Sequence, residues 1–347
     1  MSVISKDTLK SELADGQILT GNTTTDLVDT LVAISGEDLG SGDSGSCISV
    51  GTNTTADGIY GSLTVGYNSS SSAGYGSISI GALTVAGGYG CFASGSNVQA
   101  SGNNGCFAQG WNTSASGYYG SFAQGYSVTA TGVGGSFAQG WNSTAIGDQG
   151  SFAQGSSSTA SGVCGSFAQG QLVTSSGGYG SFTQGYSVTA SGDVGSFAQA
   201  YSVIASGIGG SFAQGNSVTA SGDNGSFAQG WHSIASGVNG SFAQGWNSTA
   251  IGNNGSFAQG SSATASGSYG SFAVGSNVVA SNTTSMAFGK DLINNEPKSL
   301  MVGDSTSVIR ILAQTPNAPV EGDFWYDKST HTLKFYNGTT VKTVQTV

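Results

Sequence analysis

The phrase GSFAQGWNSTAIGDQ, residues 135–149, repeats with a period of fifteen: its Phe137 returns as Phe152 and again as Phe167. Position 3 of the phrase is held by Ile48, Leu63 and Ile78, then by Phe92 and every fifteenth residue to Phe272, and finally by Met286. That makes 17 units, with two shorter steps of 14, from Ile78 to Phe92 and from Phe272 to Met286. A unit this short cannot hold a pair of helices. Gly at positions 1, 6 and 13 also disfavours any helix interior. The pattern suits two short strands separated by tight turns. Each strand then stacks in register on the next unit's copy, about 4.8 Å away. The period therefore predicts an all-β fold, a parallel β-solenoid of about 17 fifteen-residue coils over residues 45–289, roughly 80 Å long.

Strand alternation assigns the faces. In S-F-A-Q-G, Ser, Ala and Gly share one side, and Phe and Gln the other. A two-stranded coil is thin, so small side chains are expected inside and Phe and Gln outside. The outward column comprises Phe107, Phe122, Phe137, Phe152, Phe167, Phe182, Phe197, Phe212, Phe227, Phe242 and Phe257. Beside it run Gln109, Gln124, Gln139, Gln154 and Gln169, in a series that continues unbroken to Gln259. These amides are placed to form a ladder along the rod. A straight file of wet Phe is not tolerated by a monomer, and burying one Phe is worth about 1.5–3 kcal/mol. The stripe is therefore expected at the interface of a parallel homo-oligomer. The alternative is that Phe fills the coil's own interior and one chain suffices.

The pattern S-x-A-x-G-x-x-S-x-A-x-G, as in SFAQGWNSTAIG (136–147), resembles the head repeat of YadA-type trimeric adhesins. The resemblance implies a left-handed parallel β-roll and a homotrimer. Phe and Gln stand where that family usually has Val and Ile; CISVG, SLTVG and SISIG in the early units are closer to it. No counterpart of the adhesins' signal peptide, coiled-coil stalk or membrane-barrel anchor is expected from these residues.

The ends differ in character. Residues 1–44 are expected to form a helical attachment or capping segment: SKDTLKSELAD (5–15) stops at Gly16, and NTTTDLVDTLVAIS places Leu27, Val28, Leu31, Val32 and Ile34 at helical spacing. Residues 290–347 are expected to form a β-rich tip that closes the trimer. SLMVGDSTSVIRILAQT suggests strands at the rod's end. In the last stretch, DFWYD, TLKFYNG and TTVKTV form a meander with turns at Lys328–His331 and Asn337–Gly338. That stretch resembles small terminal modules of bacteriophage and viral fibre proteins. The N-terminal TGNTTTDLVDTLVAI resembles virion structural proteins more weakly.

Charge narrows the function. Between Gly45 and Gly289 there is no Lys or Arg, and only Asp57, Asp148, Asp193 and Asp223 are acidic. A surface without cations cannot grip a phosphate backbone, so nucleic acid is excluded as a partner, and anionic membranes are disfavoured. MSVISKDTLK has no apolar core of a signal peptide, and no run of about 18 apolar residues occurs, so neither export nor membrane insertion is expected. Assembly in a host cytoplasm and residence in a virion follow as expectations.

No catalytic, metal or cofactor site is expected. His232 and His331 are isolated, and the rod's four Asp are dispersed turn residues rather than paired carboxylates. Cys47, Cys91 and Cys106 occupy the Ser slot of position 2, and Cys164 lies in a turn at position 15. Stacking of Cys91 on Cys106 allows a disulfide, but the shared small-residue slot favours free thiols. Asn112, Asn142 and Asn247 begin N-x-S/T sequons, which are chance occurrences in a chain this rich in Ser and Thr.

Position 7 carries Trp111, Tyr126, Trp141, Tyr186, Tyr201, Trp231 and Trp246, with Ser, Gln or Asn in other units. Aromatics at a turn of a repetitive rod are candidate contacts to a host-surface glycan or protein receptor. The structural alternative is that each ring covers its neighbour's turn. Taken together, the sequence predicts a non-enzymatic, homotrimeric viral fibre of bacteriophage type that binds other virion proteins through its N-terminal segment and mediates host attachment. A cell-surface trimeric adhesin is the first alternative. An ice-binding solenoid is the second, suggested by Thr129, Thr144, Thr159, Thr189, Thr219 and Thr249 at position 10.

Overall fold

A computed structural model describes residues 47–304, apart from 59, 73 and 74, and residues 324–344, apart from 328 and 329. The helices expected within residues 1–44 lie outside the described residues. Residues 47–304 form one parallel β-solenoid whose coils pair in register, Phe137 with Phe152 and Phe152 with Phe167. The backbone ladder is regular: Phe137 N–H donates to Ser151 O at 2.8 Å, and Phe152 N–H to Ser166 O at 2.8 Å.

The coils are extended over positions 3–7 and 10–11, as two strands in Phe137–Trp141 and Thr144–Ala145 and as one continuous strand in Phe152–Ala160. Between them, position 8 turns the chain through the left-handed region, with φ of 52° at Asn112 and Asn142 and 51° at Ser127. Asn and Ser dominate there because a short polar side chain tolerates this conformation best after Gly. The glycines of positions 1, 6 and 13 have separate reasons. Position 1 is a left-handed turn, φ +60° at Gly135. At Gly140, with φ +129°, an added Cβ would lie 1.9 Å from the carbonyl oxygen of Gly155 in the next coil. At Gly132, φ is ordinary, but a Cβ would lie 1.9 Å from Gly147 O and 2.2 Å from Ser136 Oγ. Close approach of successive backbones therefore favours Gly at position 13, although Asn282 occupies that slot in the coil that follows Gly267.

The interior is made of small side chains. Ala138 and Ala145 at positions 4 and 11 are completely buried, and so are their copies in neighbouring coils. Position 9 alternates between Val128, Val173 or Val188 and Ser143, Ser158 or Ser233, all buried. At position 9 the buried serines are tied to backbone: Ser143 Oγ donates to Gly155 O at 3.0 Å, and Ser158 Oγ to Gly170 O at 2.9 Å. Val is among the bulkiest fully buried residues, so the core is a narrow column limited by space.

The ladder continues past Gly289: Leu300–Gly303 pairs in parallel with Met286–Gly289, fourteen residues apart. Residues 324–344 form a separate three-stranded antiparallel sheet, Phe324–Asp327 with Thr332–Tyr336 and Thr332–Tyr336 with Val341–Thr343. This is the meander expected from its turns. Asn337 organises the second turn by accepting from the N–H groups of Thr339 and Thr340 at 3.1 and 2.8 Å.

Candidate functional site

The bulky side chains of the solenoid lie outside it. Position 3 alternates with buried positions 2 and 4, so each Phe projects from the outer face of its strand. The reading in which Phe fills the coil is therefore replaced by an Ala, Val and Ser interior. From Phe92 to Phe272 the rings form a continuous stack, with centroids 4.2–5.0 Å apart and planes within 9°. Phe288 extends it at 5.4 Å. The rings shield one another's faces and are half-buried, which leaves a strip of ring edges along the rod.

Gln lies two residues further on the same face. Gln124 Nε2 donates to Gln109 Oε1 at 2.8 Å, and the pattern repeats coil by coil to Gln259, always toward the preceding coil, at 2.7–3.0 Å. Each interior amide spends one N–H and one oxygen lone pair on the ladder. One N–H and one lone pair remain. The face thus combines a continuous apolar strip with a row of unspent donors and acceptors.

Position 7 lies at the end of the same strand, where the side chains are exposed. Its aromatics stack in groups: Tyr126 on Trp141 at 4.3 Å, Tyr186 on Tyr201 at 5.2 Å, and Trp231 on Trp246 at 5.2 Å. Trp111 precedes the first group in register with Tyr126. On the opposite turn, Tyr60 stacks on Tyr75 at 4.8 Å, and Tyr118 meets Tyr119 edge-on. The position-10 threonines are half-exposed in a single file that Ile204 and Ile234 interrupt.

Cys47, Cys91 and Cys106 are buried free thiols, and Cys164 is a half-exposed one. The Cys106 N–H donates to Cys91 Sγ at 3.4 Å. The contact between the two thiols, and then burial, push Cys91 far above the ordinary thiol range. The same contact pulls Cys106 the other way, below the ordinary thiol range. Among the described residues, no three His, Cys, Asp or Glu side chains converge, and no helix is long and apolar enough to cross a membrane.

Sequence reasoning did not single out position 8, although the recurrence of Asn at positions 53, 68, 97, 112, 142 and 247 signals its left-handed backbone. Compared with known protein families and with curated proteins, the chain matches none.

Proposed function

We propose that the chain is the subunit of a homotrimeric viral fibre of bacteriophage type, a structural rod that carries the particle's contact with a host surface. The observation that supports this most is the Phe and Gln face. A stack of ring edges and half-spent amides is a poor surface to leave in water. It is a good one to repeat, because a copy of the same face lying alongside in parallel meets the same spacing at every coil. The repeat's likeness to trimeric adhesin heads and the terminal meander's likeness to fibre modules point the same way. In this reading residues 1–44 join other virion proteins, and residues 290–347 close the trimer. The position-7 aromatics are presented to a glycan or protein receptor. No reaction is required: attachment comes from many weak contacts displayed at a fixed pitch.

The test has two parts. Antibody against the rod should label intact particles in electron micrographs, and purified protein should block their adsorption to host cells. Phe182→Asp places a charge in the middle of the seam. It should leave the β-spectrum in place and abolish assembly, whereas an unchanged oligomer mass would remove the seam from the account.

A further inference from the structure

The exposed aromatics of position 7 do not form a continuous column. Tyr67 stands alone at one end; Trp111, Tyr126 and Trp141 follow, then Tyr186 with Tyr201, then Trp231 with Trp246. Two of the gaps span two coils, at Ala82 and Ser96 and at Ser156 and Gln171. One gap spans a single coil: Tyr201 pairs with Asn216, and Asn216 pairs with Trp231. At one coil per about 4.8 Å, the Tyr201 and Trp231 rings stand about 9.6 Å apart across Asn216. Each has its far side covered, by Tyr186 and by Trp246. Both remain exposed, at 50% and 43%, while Asn216 between them is half-buried.

The dimensions select a ligand. Van der Waals contact with two ring faces takes about 3.5–4.0 Å on each side. The remainder, roughly 2 Å, suits a puckered ring and leaves a flat one loose. The floor is polar. Ser217 Oγ donates to Asn216 Oδ1 at 3.0 Å, and no described residue accepts from Asn216 Nδ2, so the amide retains donors for a hydroxyl. His232, its ring 5.8 Å from that of Trp231, forms the rim. No Lys or Arg occurs between Gly45 and Gly289, and the first, Lys290, lies several coils beyond Asn216, so nothing beside the gap in this chain balances a phosphate, sulfate or carboxylate.

We infer that the gap at Asn216 is a binding slot for one neutral hexopyranose ring, held between Tyr201 and Trp231 with a hydroxyl on the Asn216 amide. This rests on the attachment reading above and gives it a receptor chemistry: a terminal neutral sugar of a surface glycan. A single slot binds weakly, with Kd on the order of millimolar, and the parallel chains of a fibre multiply it.

The experiment is saturation-transfer NMR on the full-length assembled protein. The probes are the methyl glycosides of glucose, galactose, mannose and N-acetylglucosamine. At least one should receive saturation, concentrated on the C–H groups of one ring face. Asn216→Trp fills the gap and makes the aromatic stack continuous, and should reduce binding roughly tenfold or more. Tyr201→Ser and Trp231→Ser should do the same, each removing one wall, while Tyr60→Ser, on the opposite turn, leaves binding intact. Oligomer mass is measured for every variant. A trimer that binds none of the glycosides, or an Asn216→Trp protein that binds as well as its parent, refutes the slot and leaves the fibre reading standing. An Asn216→Trp protein of altered mass also refutes it, by making the gap a contact between subunits. A monomeric parent refutes the fibre reading itself, whatever it binds.

Discussion

Phe137 and Ala138 are neighbours on one strand, yet the small residue is completely buried and the large one is only half so. The contrast holds along the rod. Inside, the side chain must fit beneath a second strand of the same coil, and Ala, Ser, Val and Gly are what fit. Outside, the side chain has only its copies above and below, and a flat ring or an amide satisfies that geometry best. The interior is thus selected by volume and the outer face by repetition along the axis. One consequence is that most of the aromatic surface in this protein has no shelter within a single coil.

The two faces should respond differently to mutation. The largest effect is expected inside. Ala168→Leu forces three extra carbons into a column already at close packing, and should lower stability by about 3 kcal/mol or prevent folding. Thermal unfolding would read this, and a shift of less than about 1 kcal/mol would mean that the interior is looser than described. On the outer face, Gln184→Ala removes two rungs of the amide ladder, to Gln169 and from Gln199. It should cost about 1–2 kcal/mol and leave the fold intact, as urea denaturation can measure. A smaller change of opposite sign is expected where the backbone breaks its own rule. Ala200 sits in the position-6 slot at φ 108°, where every neighbouring coil has Gly. Ala200→Gly should raise the unfolding free energy by about 0.5–1 kcal/mol, since relief of strain outweighs the entropy that Gly adds to the unfolded chain. The least perturbing test uses thiol reagent at pH 8. Cys164 should react in the folded protein, whereas Cys47, Cys91 and Cys106 should wait for denaturant.

Much of this architecture was legible in the sequence because the repeat supplies many copies of one experiment. The period fixed the coil length, and alternation around Ala138 fixed which side faces inward. The meander from Phe324 to Thr343 followed from its turn residues. What was not legible depended on backbone geometry between coils. The left-handed residue at position 8 is hidden because Ser, Leu172 and His232 occupy it as well as Asn. The extra rung at Leu300 escaped because LMVG carries none of the Phe, Ala and Gln that mark its predecessors, although its Gly303 stands in the position-6 slot. The grouping of the position-7 rings can be read in the sequence only once the register is known, because a gap of one coil and a gap of two differ in what they can hold.

The central claim is that the phenylalanine strip is covered by other copies of the same chain. Sedimentation equilibrium, or mass spectrometry of the native complex, measures this directly. The account predicts one dominant species at three times the 34.3 kDa chain mass, unchanged on dilution through the micromolar range. A stable, soluble species at the mass of one chain, with its Phe column open to water, would contradict it.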